Sequence, residues 1–269
     1  MSRRARLDTE LVRRGLARSR EQAAALVEAG RVKVAGRPAV KVATQVMTGE
    51  PIVVAPPDTG KDYVSRGGHK LAGALDVFQA GGLQVEGRRA LDAGASTGGF
   101  TDVLLRRGAE HVVCVDVGYG QLAWSLQSHP RVTVLDRTNV RDLDPAAVGS
   151  PVGLVVADLS FISVRLALPA LLRCAEPDAD VVPMVKPQFE VGRERLTQGG
   201  VVRDPALRAK AVRIVASTAY DDLGLGVLGV TASPLPGPAG NVEYFLWLRR
   251  GAPALIEDDL SAAVEAGPQ

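Results

Sequence analysis

The fold is decided by the stretch Ala90-Leu91-Asp92-Ala93-Gly94-Ala95-Ser96-Thr97-Gly98-Gly99-Phe100-Thr101-Asp102. It predicts the end of a buried strand, a glycine-rich turn and the start of a helix. Glycine lets the backbone adopt positive φ angles and approach a ligand closely. The helix start offers unpaired N–H groups and a positive dipole end to a ligand in the turn. Tight packing of an ordinary strand-to-helix turn would also explain the glycines, so the turn alone leaves both interpretations open.

Two acidic residues favour a bound cofactor. Asp92 lies within the turn, and Asp116 closes the next apolar run, residues 111–115. An acid at the end of the second strand, about 20 residues after the first glycine, is where such folds bind a ribose. The spacing departs from the strict G-x-G-x-x-G of nicotinamide binders. A ribose-bearing cofactor is therefore favoured over one held mainly by its pyrophosphate.

From residue 90 onward, short apolar runs alternate with helical patterns. The predicted strands are 90–92, 111–116, 132–135, 153–158, 180–185, 226–233 and 242–249, and the predicted helices are 99–107, 121–128, 165–174 and 204–222. Such alternation predicts an α/β fold with a doubly wound, mostly parallel sheet. The last two strands are joined only by a loop, so they should be antiparallel. Ligands bind such sheets at the carboxyl ends of the strands. Residues 251–269 are expected to fray.

Composition and charge divide the chain in two. Residues 1–70 hold 14 Lys and Arg against 7 Asp and Glu, a balance of +7, while residues 71–269 hold 18 against 23, a balance of −5. A basic front module is typical of nucleic-acid binding, although a charged face is more often simply solvated. No apolar run is long enough for a membrane helix, and no signal peptide is recognised. Cys114 and Cys174 lie in apolar runs and are interpreted as buried free thiols.

The front module is predicted to contain two helices followed by short strands. Asp8 or Thr9 could cap a first helix that runs through Arg14, and Ser19 with Gln22 forms a capping box that opens a second helix ending at Gly30. Basic side chains around these helix ends and the first strand could line a phosphate backbone. They are Arg13, Arg14, Arg18, Arg20, Arg31, Lys33 and Arg37.

Charged residues also lie at strand ends in the second half of the sheet. Asp158 and Lys186 end two strands that should be adjacent, and Glu243 begins the last strand. Any one of them could be a solvated loop residue. Arg66 and Lys70 enter this domain from its edge, and a lysine beside Lys70 would have its ammonium form disfavoured, so that it could accept a proton. Nearby carboxylates would instead favour the ammonium form of the lysine.

Two resemblances follow from these motifs. The pattern from Arg6-Leu7-Asp8 to Val54 resembles the S-four RNA-binding domain. The motifs Y-V-S-R-G-G-H-K-L, D-A-G-A-S-T-G-G-F-T-D, V-D-V-G, D-L-S-F-I-S, V-K-P-Q-F-E and G-N-V-E-Y resemble the TlyA family over about residues 5–250. That family consists of rRNA (cytidine-2′-O)-methyltransferases, often named haemolysins. Its members carry an S-four domain before an FtsJ-like methyltransferase domain with a Rossmann-like class I fold.

The resemblance implies roles for particular residues. The catalytic set of the family corresponds to Lys70, Asp158, Lys186 and Glu243. S-adenosylmethionine would contact Asp92, Gly94, Ser96, Thr97, Gly98, Gly99, Phe100, Asp116, Asn139 and Val140, with its ribose on Asp116. RNA would contact Arg6, Arg13, Arg14, Arg18, Arg20, Arg31, Lys33, Arg37 and Arg66. Lys186 would contact or deprotonate the ribose hydroxyl, and the other three catalytic residues would set its charge and geometry.

The expected organisation is an S-four-like domain (1–57), a linker (58–66), a methyltransferase domain (67–251) and a C-terminal tail (252–269). The expected partner is 16S or 23S rRNA, or both, within ribosomal subunits. We expect a cytoplasmic protein that is monomeric when free and needs no metal or membrane. Two alternatives remain open: a nicotinamide-dependent oxidoreductase with an RNA module, and a non-catalytic ribosome-binding or membrane-active protein.

Overall fold

The computed structural model describes residues 4–17, 19–28, 30–55, 63–192, 200–237 and 239–268. The chain divides into two compact units, Met1–Arg66 and Gly67–Gln269. Residues 58–62 of the expected linker and Arg18 lie outside the described residues. Arg66, the last residue of that linker, is the first residue of helix α3.

The first unit combines two helices with two small sheets. The elements are β1 (Arg4–Arg6), α1 (Leu7–Arg13), α2 (Arg20–Glu28), β2 (Val32–Val34), β3 (Arg37–Pro38), β4 (Gln45–Met47) and β5 (Ile52–Val54). Strand β1 pairs with β4, and β2 lies between β3 and β5 in an antiparallel three-stranded sheet. A small apolar core, which includes Leu7, Leu11 and Val32, holds them together.

Helix α1 begins earlier than predicted, and its N-cap residue, Arg6, makes no side-chain capping hydrogen bond. Asp8 and Thr9 lie inside the helix, where Asp8 Oδ1 accepts from the Thr9 N–H at 2.7 Å. The N–H groups of Leu7 and Asp8 instead donate to the carbonyls of Thr44 and Val42. Capping by Asp8 or Thr9 was therefore a wrong expectation, because backbone partners far along the chain satisfy these donors. The Ser19 cap of α2 is confirmed, since Ser19 Oγ accepts from the Gln22 N–H at 3.2 Å.

The second unit is a seven-stranded sheet flanked by helices. Its helices are α3 (Arg66–Ala80), α4 (Gly99–Arg106), α5 (Trp124–Gln127), α6 (Pro145–Val148), α7 (Leu168–Arg173), α8 (Pro187–Glu190), α9 (Pro205–Leu223) and α10 (Glu257–Glu265). Its strands are β6 (Arg89–Ala93), β7 (His111–Val115), β8 (Val132–Leu135), β9 (Val152–Ala157), β10 (Ala175–Val185), β11 (Leu225–Ala232) and β12 (Tyr244–Arg250). Together they confirm the predicted α/β class.

The strand order fixes where a ligand can bind. The order is β11-β12-β10-β9-β6-β7-β8, and within the described part of this sheet β12 runs opposite to the other six strands. From β6 the chain moves outward to β7 and β8, and β9 then returns to the other side of β6. The carboxyl ends of β6 and β9 therefore form the topological switch point, where open α/β sheets bind ligands.

Two predicted helices are shorter in the structure, and one strand is longer. The Ala123 N–H donates to the Thr97 carbonyl, so the chain is held against the glycine turn and α5 begins only at Trp124. A short 3-10 turn, Val164–Leu166, occupies the start of the helix expected at 165–174. Strand β10 begins at Ala175, although its pairing with β9 is irregular before Asp180. Cys114 and Cys174 are buried free thiols, as predicted.

The expectation that the C-terminus frays is wrong. Residues 257–265 form helix α10, and its Leu260 and Ala263 are buried. Leu260 belongs to the main core of the second unit, so apolar burial holds this segment in place. Among the described helices, none combines the length and apolarity needed to cross a membrane.

Removing the Leu260 side chain tests whether α10 is part of the folded unit. We expect Leu260→Ala to lower the free energy of unfolding by about 2–4 kcal/mol, because it leaves a cavity under the helix. Urea unfolding measures the change. Ile256, which is 54% exposed, provides the control; Ile256→Ala should cost less than about 0.5 kcal/mol. Equal effects of the two changes would contradict the packing described.

Candidate active site

Lys70 and Glu243 form a buried ion pair across the second unit. The Lys70 Nζ donates to Glu243 Oε2 at 2.5 Å, although the residues are 173 positions apart. Their side chains are 8% and 1% exposed. Lys70 lies on α3, near the start of the unit, and Glu243 directly precedes β12. Gly237 lies against this carboxylate, since a Cβ there would come within 2.6 Å of Glu243 Oε1.

Lys186 forms the second ion pair. Its Nζ lies 2.6 Å from Asp158 Oδ1 and donates to Ser160 Oγ at 2.9 Å. The Lys186 side chain is 9% exposed, whereas that of Asp158 is 24% exposed. The pair therefore has an open side, on which a hydroxyl could approach the lysine.

The sheet register brings the two pairs together. Val185 pairs with Tyr244 across β10 and β12, so Lys186 and Glu243 directly follow and precede paired residues. Asp158 follows β9, the parallel neighbour of β10. The four residues expected to be catalytic thus lie at one sheet edge, linked in two pairs.

The glycine turn packs directly on this edge. Gly94 has φ +84°, and a Cβ on it would lie 2.4 Å from the Asp158 carbonyl oxygen. Gly98 has φ +98°, and its Cβ would lie 2.3 Å from the Leu126 side chain. Both positions require glycine for packing as well as for backbone conformation. The Asp158 N–H also donates to the Ala93 carbonyl at 2.9 Å, which holds the turn beside the ion pair.

The turn leaves backbone donors available. The N-cap of α4 is Gly98, and no side chain caps the helix. The first N–H groups of an uncapped helix can bind an acceptor group of a ligand. Asp116 stabilises the turn, because its Oδ2 accepts from the Ser96 N–H at 2.8 Å and its Oδ1 from the Gly118 N–H at 2.7 Å. Ser96 and Thr97 are exposed at this edge.

Asp92 is fully buried beneath the turn. Its Oδ2 accepts from the Thr101 hydroxyl at 2.6 Å, and its Oδ1 has no hydrogen-bond partner among the described residues. Burial raises the pKa of Asp92 to about 7, an increase that the Thr101 hydrogen bond opposes and the nearby Asp158 augments. Burial also raises the pKa of the Cys114 thiol, whose Sγ lies 3.0 Å from Thr101 Oγ1.

The remaining residues expected to bind the cofactor differ in whether their side chains are accessible to a ligand. Phe100 is buried, with its ring centroid 5.9 Å from that of Phe245. Val140 is also part of the core. Asn139 Oδ1 accepts from the Arg141 N–H at 3.1 Å. Phe100 and Val140 could therefore contact a ligand mainly through their backbone. Asn139 Nδ2 has no hydrogen-bond partner among the described residues.

Most of the arginines expected to bind RNA have internal partners. Asp8 pairs with Arg6 at 3.0 Å and with Arg20 at 2.8 Å. Glu10 pairs with Arg13 at 2.6 Å and with Arg14 at 2.7 Å. The hydrogen bonds in these pairs favour the charged form of each carboxyl. Arg6 lowers the pKa of Asp8, and Arg13 lowers the pKa of Glu10 to about 2.

Each acid neutralises one of two arginines, so each cluster keeps one positive charge. Arg31 donates to the Ala55 carbonyl at 2.9 Å. Lys33, Arg37 and Arg66 are exposed. Two buried carboxylates therefore hold much of the basic surface in fixed positions, which the charge count alone did not reveal.

The sequence predicted no role for two hydroxyl residues at the site. Ser160 contacts Lys186, and Thr101 contacts Asp92. Serine and threonine are common in loops and helix starts, so only their positions beside the two acids could have signalled a role. Nearby, Phe161 is 93% exposed with a positive φ of 66°, which is rare for a residue with a side chain.

Comparisons with known proteins bear directly on this architecture. A family model described as FtsJ-like methyltransferase matches residues 63–250, and one described as S4 domain matches residues 5–52. A Mycobacterium tuberculosis relative named 16S/23S rRNA (cytidine-2′-O)-methyltransferase TlyA is 59% identical, with 100% of both chains covered. The chain belongs to the TlyA family of FtsJ-like methyltransferases.

Other TlyA-like proteins extend the similarity. A Bacillus subtilis protein named as the rRNA methyltransferase YqxC is 41% identical, and the match covers 92% of this chain and 86% of that protein. A solved structure named as a hemolysin from Streptococcus thermophilus is 36% identical with a TM-score of 0.76, covering 98% of this chain and 96% of that one. The resemblance found in the sequence, including the two domain types, is therefore confirmed.

The buried Asp92 predicts a characteristic pH dependence of stability. Its folded-state pKa of about 7 exceeds the ordinary value of 3.8. Between these values the folded protein binds a proton that the unfolded chain does not, so this contribution to stability is lost as the pH rises toward 7. Asp92→Asn removes the effect. Its stability relative to wild type should rise between pH 5 and pH 8, by about 3 kcal/mol.

Denaturant unfolding of both proteins at the two pH values measures this difference. The exposed Asp258 offers a matched control, since Asp258→Asn should change stability equally at pH 5 and pH 8. A stability difference between wild type and Asp92→Asn that is independent of pH would contradict the buried, protonated carboxyl.

Proposed function

We propose that this chain transfers the methyl group of S-adenosylmethionine to the ribose 2′-hydroxyl of a cytidine in rRNA. The observation that carries the proposal is the arrangement of Lys70, Glu243, Lys186 and Asp158 in two ion pairs beside the glycine turn. The relative from M. tuberculosis, which is named for both 16S and 23S rRNA, supports ribosomal subunits of both sizes as substrates.

The turn between β6 and α4 fits the cofactor. Its uncapped helix start supplies N–H donors, and Asp116 lies beside it with lone pairs that could accept ribose hydroxyl protons. The close approach of Gly94 to Asp158 would place a ligand in the turn next to the Lys186 pair. Bound there, S-adenosylmethionine would supply an electrophilic methyl carbon.

On the acceptor side, the chain would act mainly by orienting the hydroxyl. Lys186 would hold the ribose oxygen and receive or pass on its proton, and Asp158 would orient the lysine and balance its charge. Lys70 and Glu243 would fix the other side of the pocket. As the new C–O bond forms, the bond from the methyl carbon to the cofactor sulfur would break with its electron pair left on sulfur. Lys186 would take the hydroxyl proton after passing one of its own protons to Asp158.

The S4 domain would provide the grip on RNA. Its exposed Lys33 and Arg37, together with the arginines ordered by Asp8 and Glu10, would contact the phosphates of the RNA. Because such contacts carry little sequence information, the target cytidine would be chosen largely by the shape of the ribosomal subunit.

The cofactor assignment is tested by calorimetric titration. We expect binding of S-adenosylmethionine, no measurable binding of NAD, and a dissociation constant raised about 10- to 100-fold in Asp116→Ala, since a charged hydrogen-bonding group is lost. Asp178, exposed on β10, serves as the control, and Asp178→Ala should bind as wild type does. Preference for NAD would instead support an oxidoreductase.

The catalytic assignment is tested with labelled cofactor and purified ribosomal subunits. We expect Lys186→Ala to reduce methyl transfer at least about 100-fold, because the hydroxyl loses both its orienting group and its proton acceptor. Cofactor affinity should not change. Lys210→Ala, on α9, should stay within about twofold of wild type. Undiminished transfer by Lys186→Ala would reject the role proposed for Lys186.

A further inference from the structure

We propose that Glu190 is a positioning residue that holds the loop after β9 over the acceptor side of the site. The proposal rests on the function proposed above and extends it. Glu190 ends α8, the short helix that follows Lys186, and its side chain is only 1% exposed. A carboxylate buried to this extent requires several donors.

Within the described part of the chain, the donors to Glu190 come from one segment. The Ser163 hydroxyl donates to Oε2 at 2.6 Å, the Val164 N–H donates to Oε1 at 2.9 Å, and Arg165 Nε donates to Oε2 at 3.1 Å. These three residues are consecutive and close the loop that begins after Asp158. Glu190 therefore fastens the far end of this loop to the segment that carries Lys186.

The near end of the same loop is fastened by Lys186 itself. Ser160 is exposed, and its hydroxyl accepts from the Lys186 ammonium group at 2.9 Å. The two β-strand connections, residues 158–165 and 186–190, are thus joined at both ends. A shift at one end would displace Ser160 relative to Lys186 at the other.

The backbone conformation of Phe161, between Ser160 and Ser163, indicates a functional role for this loop in addition to packing. Phe161 adopts φ +66° while 93% exposed, so it gains little from burial to offset its backbone strain. Its ring centroid lies 5.7 Å from that of Phe189 on α8. A strained, exposed residue persists only where surrounding bonds hold it, and the bonds to Glu190 do so. Such strain is typical of functional loops.

Removing the carboxylate should therefore impair methyl transfer while sparing the cofactor. In Glu190→Ala we expect the kcat for ribosomal subunits to fall about 10- to 100-fold, since misplacement of an orienting group by about 1 Å has effects of this size. The KM for the subunit should rise less, because phosphate contacts elsewhere supply much of the affinity. The dissociation constant of S-adenosylmethionine should stay within about twofold.

Two conservative variants distinguish positioning from loss of folding. Glu190→Gln keeps an oxygen for the Val164 N–H and an amide that can donate to Ser163 Oγ, so it should recover part of the kcat. Ser163→Ala removes one of the three bonds to Glu190, together with the bond that the Ser163 hydroxyl accepts from Arg165 Nε at 3.1 Å. It leaves the pair of Glu190 with Arg165, so it should lower kcat moderately. Both variants remain informative if Glu190→Ala does not fold.

Asp180 provides the matched control. It is equally buried and accepts from Trp247, Arg249 and Arg88, but it lies in β10, five positions before Val185. Asp180→Ala should lose comparable stability, measured by thermal unfolding, yet retain kcat in its folded fraction.

The proposal is overturned if Glu190→Ala keeps the wild-type kcat, as Asp180→Ala should, or if its kcat and its cofactor affinity fall together. Absence of 2′-O-methylation by the wild-type protein would instead reject the proposed function, so the two failures are distinguishable.

Discussion

The buried ion pair between Lys70 and Glu243 links the beginning of the methyltransferase domain to its last strand. Both side chains have given up nearly all contact with water, and desolvation of such a pair can exceed the attraction between its charges. A pair of apolar residues could hold α3 against the sheet at least as well. The pair is therefore better explained by the charged groups that it contributes to the proposed site for the ribose hydroxyl than by a contribution to stability.

The rest of the site follows from the strand order. Because β9 returns beside β6, the end of the strand that carries Asp158 meets the glycine turn at Gly94. Because β12 inserts antiparallel to β10, the residue before it, Glu243, arrives at the same edge as Lys186. The glycine turn and the two ion pairs are thus neighbours because of the way the strands pair.

Much of this arrangement could be predicted from the sequence, since apolar runs and the charged residue at each run's end are local features. The parallel sheet, the antiparallel last pair and the adjacency of Asp158 and Lys186 follow from such features. Partners distant in the sequence could not be predicted in this way. In three places a distant partner overrides what the local sequence predicts. The N–H groups of Leu7 and Asp8 bind a remote loop, and Leu260 is buried in the core. The Thr97 carbonyl binds the Ala123 N–H.

The same reason explains what the charge pattern concealed. A count of arginines does not show that Asp8 and Glu10 each bind two of them, or that Glu190 gathers three donors from one loop. Such groupings depend on side chains that meet only in the folded chain. The folded chain also distinguishes two kinds of basic residue. Some arginines are paired with carboxylates, whereas Lys33 and Arg37 are exposed.

The central claim is that the two ion pairs direct methyl transfer to a ribose oxygen and not to a base. Mass spectrometry of nucleosides from rRNA of cells with and without the gene tests it most directly. We expect 2′-O-methylcytidine that depends on the gene, with base-methylated cytidines unchanged. A gene-dependent methyl group on a base, or identical nucleosides in both strains, would contradict it.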